Sequence, residues 1–426
     1  MPVVVVAVLA AMVLTAVALK WHALGRASHG TLTTAQGGRP TGPGAPAGSG
    51  AGRIEGSLGA GPPPPDAAAP GGATMLHGDT RHTHRSSGRV TSSAPVVLWT
   101  RDVGGPVEAQ ITASPDEQTL YAASLGGTLT ALARGDGSVR WSLPLGDRVY
   151  STPLVAEDGT LYVGSDAKKF SAISPDGHVK WALDTDGDAD SGPAISSDGA
   201  VVFAAGRMVY AVTPAGYVRW RFAARRKVFT SPAIGPQGRI FFGSQDHHVY
   251  ALAADGHLVW SVDLGVDVDG TPAIDDRGAV YVGTDGDEVV RVDPDDGHVV
   301  WRANVGGYVR GALSVARNGD VLAGVYGPRP RAARLRSDDG ALRGDFAIQG
   351  TGAREFGVHG GALEDAAGTL VFGAQDDCVY AVDASGKTLW RFVTGGDVDA
   401  PATLLRDGTL VIGSDDGSVR AFRPAG

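Results

Sequence analysis

Short apolar runs separated by tight polar breaks repeat along this chain. Between Tyr150 and Trp181 the runs are STPLV, LYVG, FSAI and HVKW, and the breaks are EDG, SDAKK and SPDG. The runs are too short for helices and rich in β-branched and aromatic residues. Asp-Gly pairs at the breaks supply the positive-φ residues that tight hairpins need. Apolar residues at i, i+3, i+4 and i+7, which a helical repeat would show, are absent from these units. The pattern predicts four antiparallel strands per unit, which is one blade of a propeller.

The unit recurs. Its last strand ends in Asp-Gly-x-x-x-Trp or a close variant: GDGSVRW, PDGHVKW, PAGYVRW, ADGHLVW, DDGHVVW, DDGALRG and ASGKTLW. Starting from Trp99, the steps to Trp141, Trp181, Trp220, Trp260, Trp301, Gly344 and Trp390 are 42, 40, 39, 40, 41, 43 and 46 residues. A period near 40 is that of a propeller or a solenoid, and the strand pattern selects the propeller. The unit that starts at Val398 has three strands and stops without its Trp strand, whereas Pro95–Trp99 is a Trp strand with no three before it. Joining them makes an eighth blade and removes the open sheet edge. The expectation is an all-β, eight-bladed propeller of four-stranded blades over residues 95–426, closed by the N-terminal strand. Trp99, Trp141, Trp181, Trp220, Trp260, Trp301 and Trp390 are expected to dock neighbouring blades from largely buried, equivalent sites. Blade six, with Gly344 in place of Trp, is expected to be the weakest.

The motif SSPAI-x-DG-x-YVGS-x-DG-x-YAL-x-DG-x-x-W, matched closely by TSPAIGPQGRIFFGSQDHHVYALAADGHLVW at Thr230–Trp260, resembles the PQQ-like β-propeller repeat. The segment MLHGDTRHTHRSSGR at Met75–Arg89 is similar to the lead-in that often precedes such propellers. The resemblance implies the fold; it leaves the function open between two branches. One holds quinoprotein dehydrogenases and implies PQQ with calcium. The other holds non-enzymatic propellers such as the barrel-assembly lipoprotein of the outer membrane and implies a protein partner.

Ahead of the propeller the chain changes character. Pro2–Leu19 carries no charge and is followed by Lys20, Trp21, His22 and Arg26. Eighteen residues of helix at 1.5 Å each span roughly 27 Å, enough to cross a bilayer. Residues 1–27 therefore read as an apolar helix, either a signal or a membrane anchor, although no Lys or Arg precedes the apolar run and no clean small-residue cleavage site follows. The basic residues after it favour a cytoplasmic propeller; the resemblance favours an exported or periplasmic one. Between Ser28 and Thr74, nine of 47 residues are other than Gly, Ala, Pro, Ser or Thr. Such a composition forms no core and reads as a disordered tether over residues 28–74, with a lead-in at 75–94.

Composition narrows the function classes. Lys plus Arg is 37 against 46 Asp plus Glu, a net charge of −9, which argues against general nucleic-acid binding. The single Cys378 forms no intrachain disulfide and cannot supply the adjacent cysteine pair that the dehydrogenase branch implies. No catalytic residue is assigned and a monomeric, non-enzymatic module is the expectation, with PQQ-dependent oxidation or axial recognition of a polar ligand or glycan as the alternatives.

A valine recurs in the innermost strand of each unit, which is read as preceding the Pro of Ser-Thr-Pro: Val149, Val228, Val268, Val309, Val358 and Val398, with Ala189 once. Strand side chains alternate. If these residues pack between blades, their neighbours face the axis: Arg148 and Tyr150, Asp188 and Asp190, Lys227 and Phe229, Asp267 and Asp269, Tyr308 and Arg310, His359, and Asp397 and Asp399, with Glu108 in the first blade. That ring is the candidate site for a cation or polar ligand, and the Asp pairs of blades five and eight have no base of their own. Three other patterns carry less. Asp184–Asp190 lacks the Gly and the final Glu of a calcium loop. His77, Asp79, His82 and His84 fit no closed zinc spacing, so no metal site is assigned. Arg329, Arg331, Arg334 and Arg336 are candidates for an acidic partner.

Overall fold

A computed structural model describes residues 72–424. The apolar segment 1–27 and the expected tether up to residue 71 lie outside the described residues. Among the described residues no helix is long and apolar enough to cross a membrane.

The strands form eight four-stranded antiparallel sheets. In blade two the strands are Leu154–Val155, Leu161–Ser165, Lys169–Ile173 and Val179–Asp184, paired in chain order. Blades one to seven follow the same order over residues 112–144, 154–184, 194–223, 233–263, 273–304, 314–347 and 363–393. Blade eight combines Thr403–Leu404, Leu410–Gly413 and Ser418–Arg423 with Val96–Asp102, which pairs with Ser418–Arg423 from Val96 opposite Arg423 to Asp102 opposite Ser418. The first strands lie where blades converge, since those of adjacent blades approach one another.

Burial explains the strand patterns. Leu161–Ser165 and its equivalents are buried on both faces, because each middle strand is sandwiched between two neighbouring blades. Outermost strands such as Val179–Asp184 alternate exposed and half-buried. Between blades two and three, Phe170 stacks on Phe203 with ring centroids 3.6 Å apart.

The tryptophans join successive blades by a repeated contact. The indole Nε1–H of Trp141 donates to the Pro175 carbonyl at 2.9 Å, in the Asp-Gly turn of the next blade. Trp99, Trp181, Trp220, Trp260 and Trp301 donate in the same way to Arg134, Pro214, Ala254, Pro294 and Ser337. Each ring lies flush on the turn glycine: a Cβ on Gly177, at φ +88°, would meet the Trp141 ring at 2.7 Å. Only glycine meets both demands there. Burial is less uniform than the sequence predicts. Trp99, Trp260 and Trp390 are buried, whereas Trp141, Trp181, Trp220 and Trp301 are half-buried, although all seven lie on the outermost strand of a blade.

Blade six keeps the bond without the indole. Gly344 pairs with Arg334, where most other blades pair Trp with Ala. Arg334 Nη1 donates to Ala384 O at 2.8 Å, the carbonyl a tryptophan would have used, and its Nε donates to buried Asp320. Arg331 donates to Val305 O and Arg336 to Asp339. Three of the four arginines in this run are therefore committed within the blade and its neighbours.

Candidate functional site

The axis is built from three levels of each descending segment, the stretch that carries the chain from the outermost strand of one blade to the first strand of the next. The recurrent valines are not in a ladder strand, contrary to the reading of the sequence: the first strand begins only after the Ser-Thr-Pro step, as at Leu154. Alternation persists because the segment is extended. Val149, Val228, Val268, Val309, Val358 and Val398 are buried, as are Ala189 and Val107 of the first blade. Six of the eight sit against a glycine at or next to the end of the second strand of the preceding blade; a Cβ on Gly243 would meet Val268 at 2.5 Å and one on Gly373 would meet Val398 at 2.3 Å. Their neighbours, called the mouth residues below, lie on either side of that packing and meet residues of adjoining blades.

The next level carries small buried residues, among them Ser151, Ser191, Thr230, Gly270, Gly311 and Ala400. Hydrogen bonds run from blade to blade under them: Ser151 Oγ to Ser191 O at 2.8 Å, Gly192 N to Ser231 Oγ at 2.8 Å, and Ser231 N to Thr271 Oγ1 at 3.0 Å. At the far end the lead-in lies across the first strands. Its carbonyls at Ala73, Thr74, Thr80, Arg81, Thr83 and His84 accept the backbone N–H of Ala113, Val155, Ile234, Ile274, Val315 and Glu364. His77, His82 and His84 are buried in this plug, each at φ near +55°. They bond to Leu313, Pro272 and Ala402 carbonyls. Burial holds all three below the usual imidazole range, His84 at about 4, so they are neutral. His77 stacks on His84 at 3.9 Å rather than converging with Asp79 on a common point; Asp79 instead accepts from Arg81 and Thr83.

The ring of mouth residues is the candidate site. Around most of it, acids and bases are matched. Lys227 Nζ lies 3.2 Å from Asp190 and 3.5 Å from Asp188. Arg148 pairs with Asp166 at 2.9 Å, and Arg310 pairs with Asp285 at 2.7 Å and with Glu355. His247 approaches Asp267 at 3.3 Å, and Gln245 donates to Asp269 at 3.2 Å, so the blade-five pair does have polar partners. Three bases lie over their aromatic neighbour two residues away: Arg148 over Tyr150, Lys227 over Phe229 and Arg310 over Tyr308. His359 Nδ1 meets the Tyr326 hydroxyl. Asp184 and Asp186 of the calcium-like loop are elsewhere engaged, with Lys169 and with the Tyr210 hydroxyl.

One sector is unmatched. Glu108, Asp397, Asp399 and Asp415 have no ion pair among the described residues, and Glu108, Asp399 and Asp415 each offer an oxygen within 4.8 Å of the other two. Burial, reinforced by these neighbouring charges, pushes Glu108 up to about 8, Asp415 to about 7 and Asp397 to about 6. Across the mouth, exposed Lys168, Arg207 and Arg226 with Lys227 line a cavity of ≈ 330 Å³. Asp166, Asp285 and Asp415 were not among the residues read from sequence. They stand just after the second strand, 18 residues beyond Arg148, Asp267 and Asp397, whose carbonyls accept their backbone N–H.

The fold has many relatives. The structure of BamB from Moraxella catarrhalis is similar, with a TM-score of 0.64, 16% identity, and coverage of 78% of this chain and 100% of that one. A europium-containing methanol dehydrogenase gives 0.68 at 12% identity over 81% and 90%. The computationally designed Ika8 protein gives 0.65 at 15% over 77% and 99%. No curated protein sequence matches the chain. A family model described as outer membrane protein assembly factor BamB matches residues 86–225 and 205–382. The chain belongs to that family of PQQ-like β-propellers.

Proposed function

We propose that this propeller is a non-enzymatic binding module, exported and tethered to a membrane through its N-terminal segment, whose working surface is the ring of mouth residues. The observation that carries this reading is the segregation of charge across that mouth. Acids without bases fill the sector of blades eight and one, while Lys168, Arg207 and Arg226 stand free of ion pairs, among the described residues, beside blades two to four. A face divided in this way orients a partner of complementary polarity and speeds its encounter. The family description names an outer-membrane assembly factor, and that likeness supports a protein as the partner.

A quinone cofactor fits less well. The dehydrogenase resemblance implies an adjacent cysteine pair, and this chain has the single Cys378, buried in the third strand of blade seven with its thiol pushed up by burial.

The test is affinity capture with the full chain against two charge-reversal variants, Asp397→Lys with Asp415→Lys, and Arg207→Glu with Arg226→Glu. Partners held by the wild type should be lost from both, and the capture should weaken as salt rises. Identical partner sets for all three proteins would refute the mouth as the binding face. Stoichiometric PQQ uptake accompanied by alcohol or sugar oxidation would refute the non-enzymatic reading.

A further inference from the structure

The unmatched sector has the composition and geometry of a site for a hard divalent cation. Its ligand candidates come from two separate chain positions in blade eight and one in blade one. Asp399 follows Val398 on the descending segment, Asp415 stands on the hairpin after the second strand, and Glu108 follows Val107. One oxygen of each lies within 4.8 Å of the others. Carboxylates this close repel one another unless a cation or shared protons intervene. Elsewhere around the mouth a base stands beside the acids: in the comparable cluster Arg148 pairs with Asp166 and Lys227 with Asp188 and Asp190, although Asp166 and Asp190 each keep an unpartnered oxygen. Here none does among the described residues.

A second observation is independent of the clustering. Asp399 is 7% exposed, and while its Oδ2 accepts from Gln375 Nε2 at 3.1 Å, its Oδ1 has no partner. Asp415 Oδ1 is likewise buried and unpartnered. Buried carboxylate oxygens are normally satisfied. Two orphaned acceptors beside a third carboxylate call for a positive group, and nitrogen or sulfur donors, which would favour zinc or copper, are absent from the cluster.

We infer that Glu108, Asp399 and Asp415 form a divalent-cation site of the calcium type, joining the last blade to the first. An all-oxygen set with irregular spacing suits calcium, which takes 6–8 oxygens in flexible geometry, better than magnesium, which demands a near-ideal octahedron. Waters entering from the mouth would complete the shell. The three residues straddle the junction between blades eight and one, so the cation would bind the folded ring and not the unfolded chain, and would stabilise it by mass action. The site needs no quinone. It rests on the proposed function only for its position at the binding face, and its own test needs no partner protein.

The experiment is calorimetric titration of the chelator-treated full chain with calcium chloride, and separately with magnesium chloride, alongside thermal unfolding in each. One calcium per chain should bind, raise the Tm, and bind at least tenfold more tightly than magnesium. Asp415→Asn and Glu108→Gln should each raise the calcium Kd at least tenfold. Both amides are isosteric and remove repulsion, so the metal-free variants should unfold no earlier than the wild type. Asp190→Asn, in the cluster paired with Arg148 and Lys227, should leave the Kd unchanged. Absence of calcium heat and of a Tm shift at millimolar calcium would overturn the inference, as would binding that survives Asp415→Asn and Glu108→Gln. Loss of calcium binding with partner capture intact would remove the metal alone, and the reverse would remove the partner reading alone.

Discussion

Restoring the missing indole, by Gly344→Trp, should stabilise the ring. Blade six lacks its tryptophan, and the turn glycine that it would cover, Gly386 at φ +85°, has nothing closer to a Cβ position than Asp345 O at 3.8 Å. The equivalent position at Gly340 meets Trp301 at 2.7 Å. The space for a ring is therefore open. The acceptor is present too. Ala384 O now takes one bond, from Arg334, and a carbonyl has two lone pairs. Blade five shows that both donors fit one carbonyl, since Ser337 O accepts from Arg291 at 3.1 Å and from Trp301 at 2.9 Å.

The magnitude follows from three contributions. A half-buried indole removes on the order of 100 Å² of apolar surface from water, about 2.5 kcal/mol. Replacing glycine within a strand adds about 0.5–1 kcal/mol. Fixing the side chain costs about 1 kcal/mol. The expected gain is about 1–3 kcal/mol. Urea unfolding followed by circular dichroism measures it without the change in fluorescence that a new tryptophan brings. Gly344→Ala isolates the strand contribution. A Gly344→Trp variant no more stable than Gly344→Ala would show that the gap does not accept a ring, and that the arginine has replaced the indole rather than merely borrowed its acceptor.

Other outcomes follow from the same structure. Trp260→Ala and Trp390→Ala, at buried sites, should cost about 3–5 kcal/mol in urea unfolding, and Trp141→Ala, at a half-buried one, less; equal and small losses would deny the indoles a role between blades. His84 is neutral in the fold with its pKa lowered to about 4, so its contribution is present above the unfolded value near 6.5 and is lost as pH falls through 4; His84→Gln, measured against wild type, should gain up to about 3 kcal/mol between pH 6.5 and 4, and a flat difference would mean the ring is solvated. Asp269 carries the opposite sign. Burial pushes it up to about 6, so its contribution is present below pH 4 and lost as pH rises through 6. Asp269→Asn should therefore gain on wild type between pH 4 and 7, by up to about 3 kcal/mol, and no gain would show that the carboxylate is hydrated.

The legible part of this molecule is what repeats at fixed spacing. Val268 and the Gly243 it rests on both appear as recurring letters, because each blade solves the same packing problem. The carboxylates of the hairpins also obey a fixed spacing, 18 residues after the mouth residues whose carbonyls they bond. That signal passes unnoticed because Asp166, Asp285 and Asp415 look like ordinary turn residues. Charge pairing is not legible in the same way. Lys227 reaches back to the preceding blade for Asp188 and Asp190, and Arg310 finds Glu355 in the long connection after blade six. Such partners depend on which long side chain can span a gap between blades. Alternation along one segment cannot say which acids are left over, and the sector without bases emerges only when every pair has been assigned.

The plug carries the last consequence. In a ring of identical units each first strand has one edge toward the axis, and its outward-bonded pair leaves a backbone N–H facing inward. Six of these, from Ala113, Val155, Ile234, Ile274, Val315 and Glu364, are satisfied by lead-in carbonyls between Ala73 and His84. Gly88 O accepts one more backbone N–H, from Ala366 just past the first strand of blade seven. Remove the lead-in and these donors lose their acceptors. An unsatisfied buried donor costs about 1–3 kcal/mol, less where water can enter. A chain starting at residue 90 should therefore be less stable than one starting at residue 72 by at least about 3 kcal/mol, even though neither loses a residue of any blade. Hydrogen exchange locates the effect: amides of Ile234, Ile274 and Val315 should lose protection, while those of the outermost strands should keep theirs. Equal stability and unchanged exchange would mean that water replaces the plug at no cost.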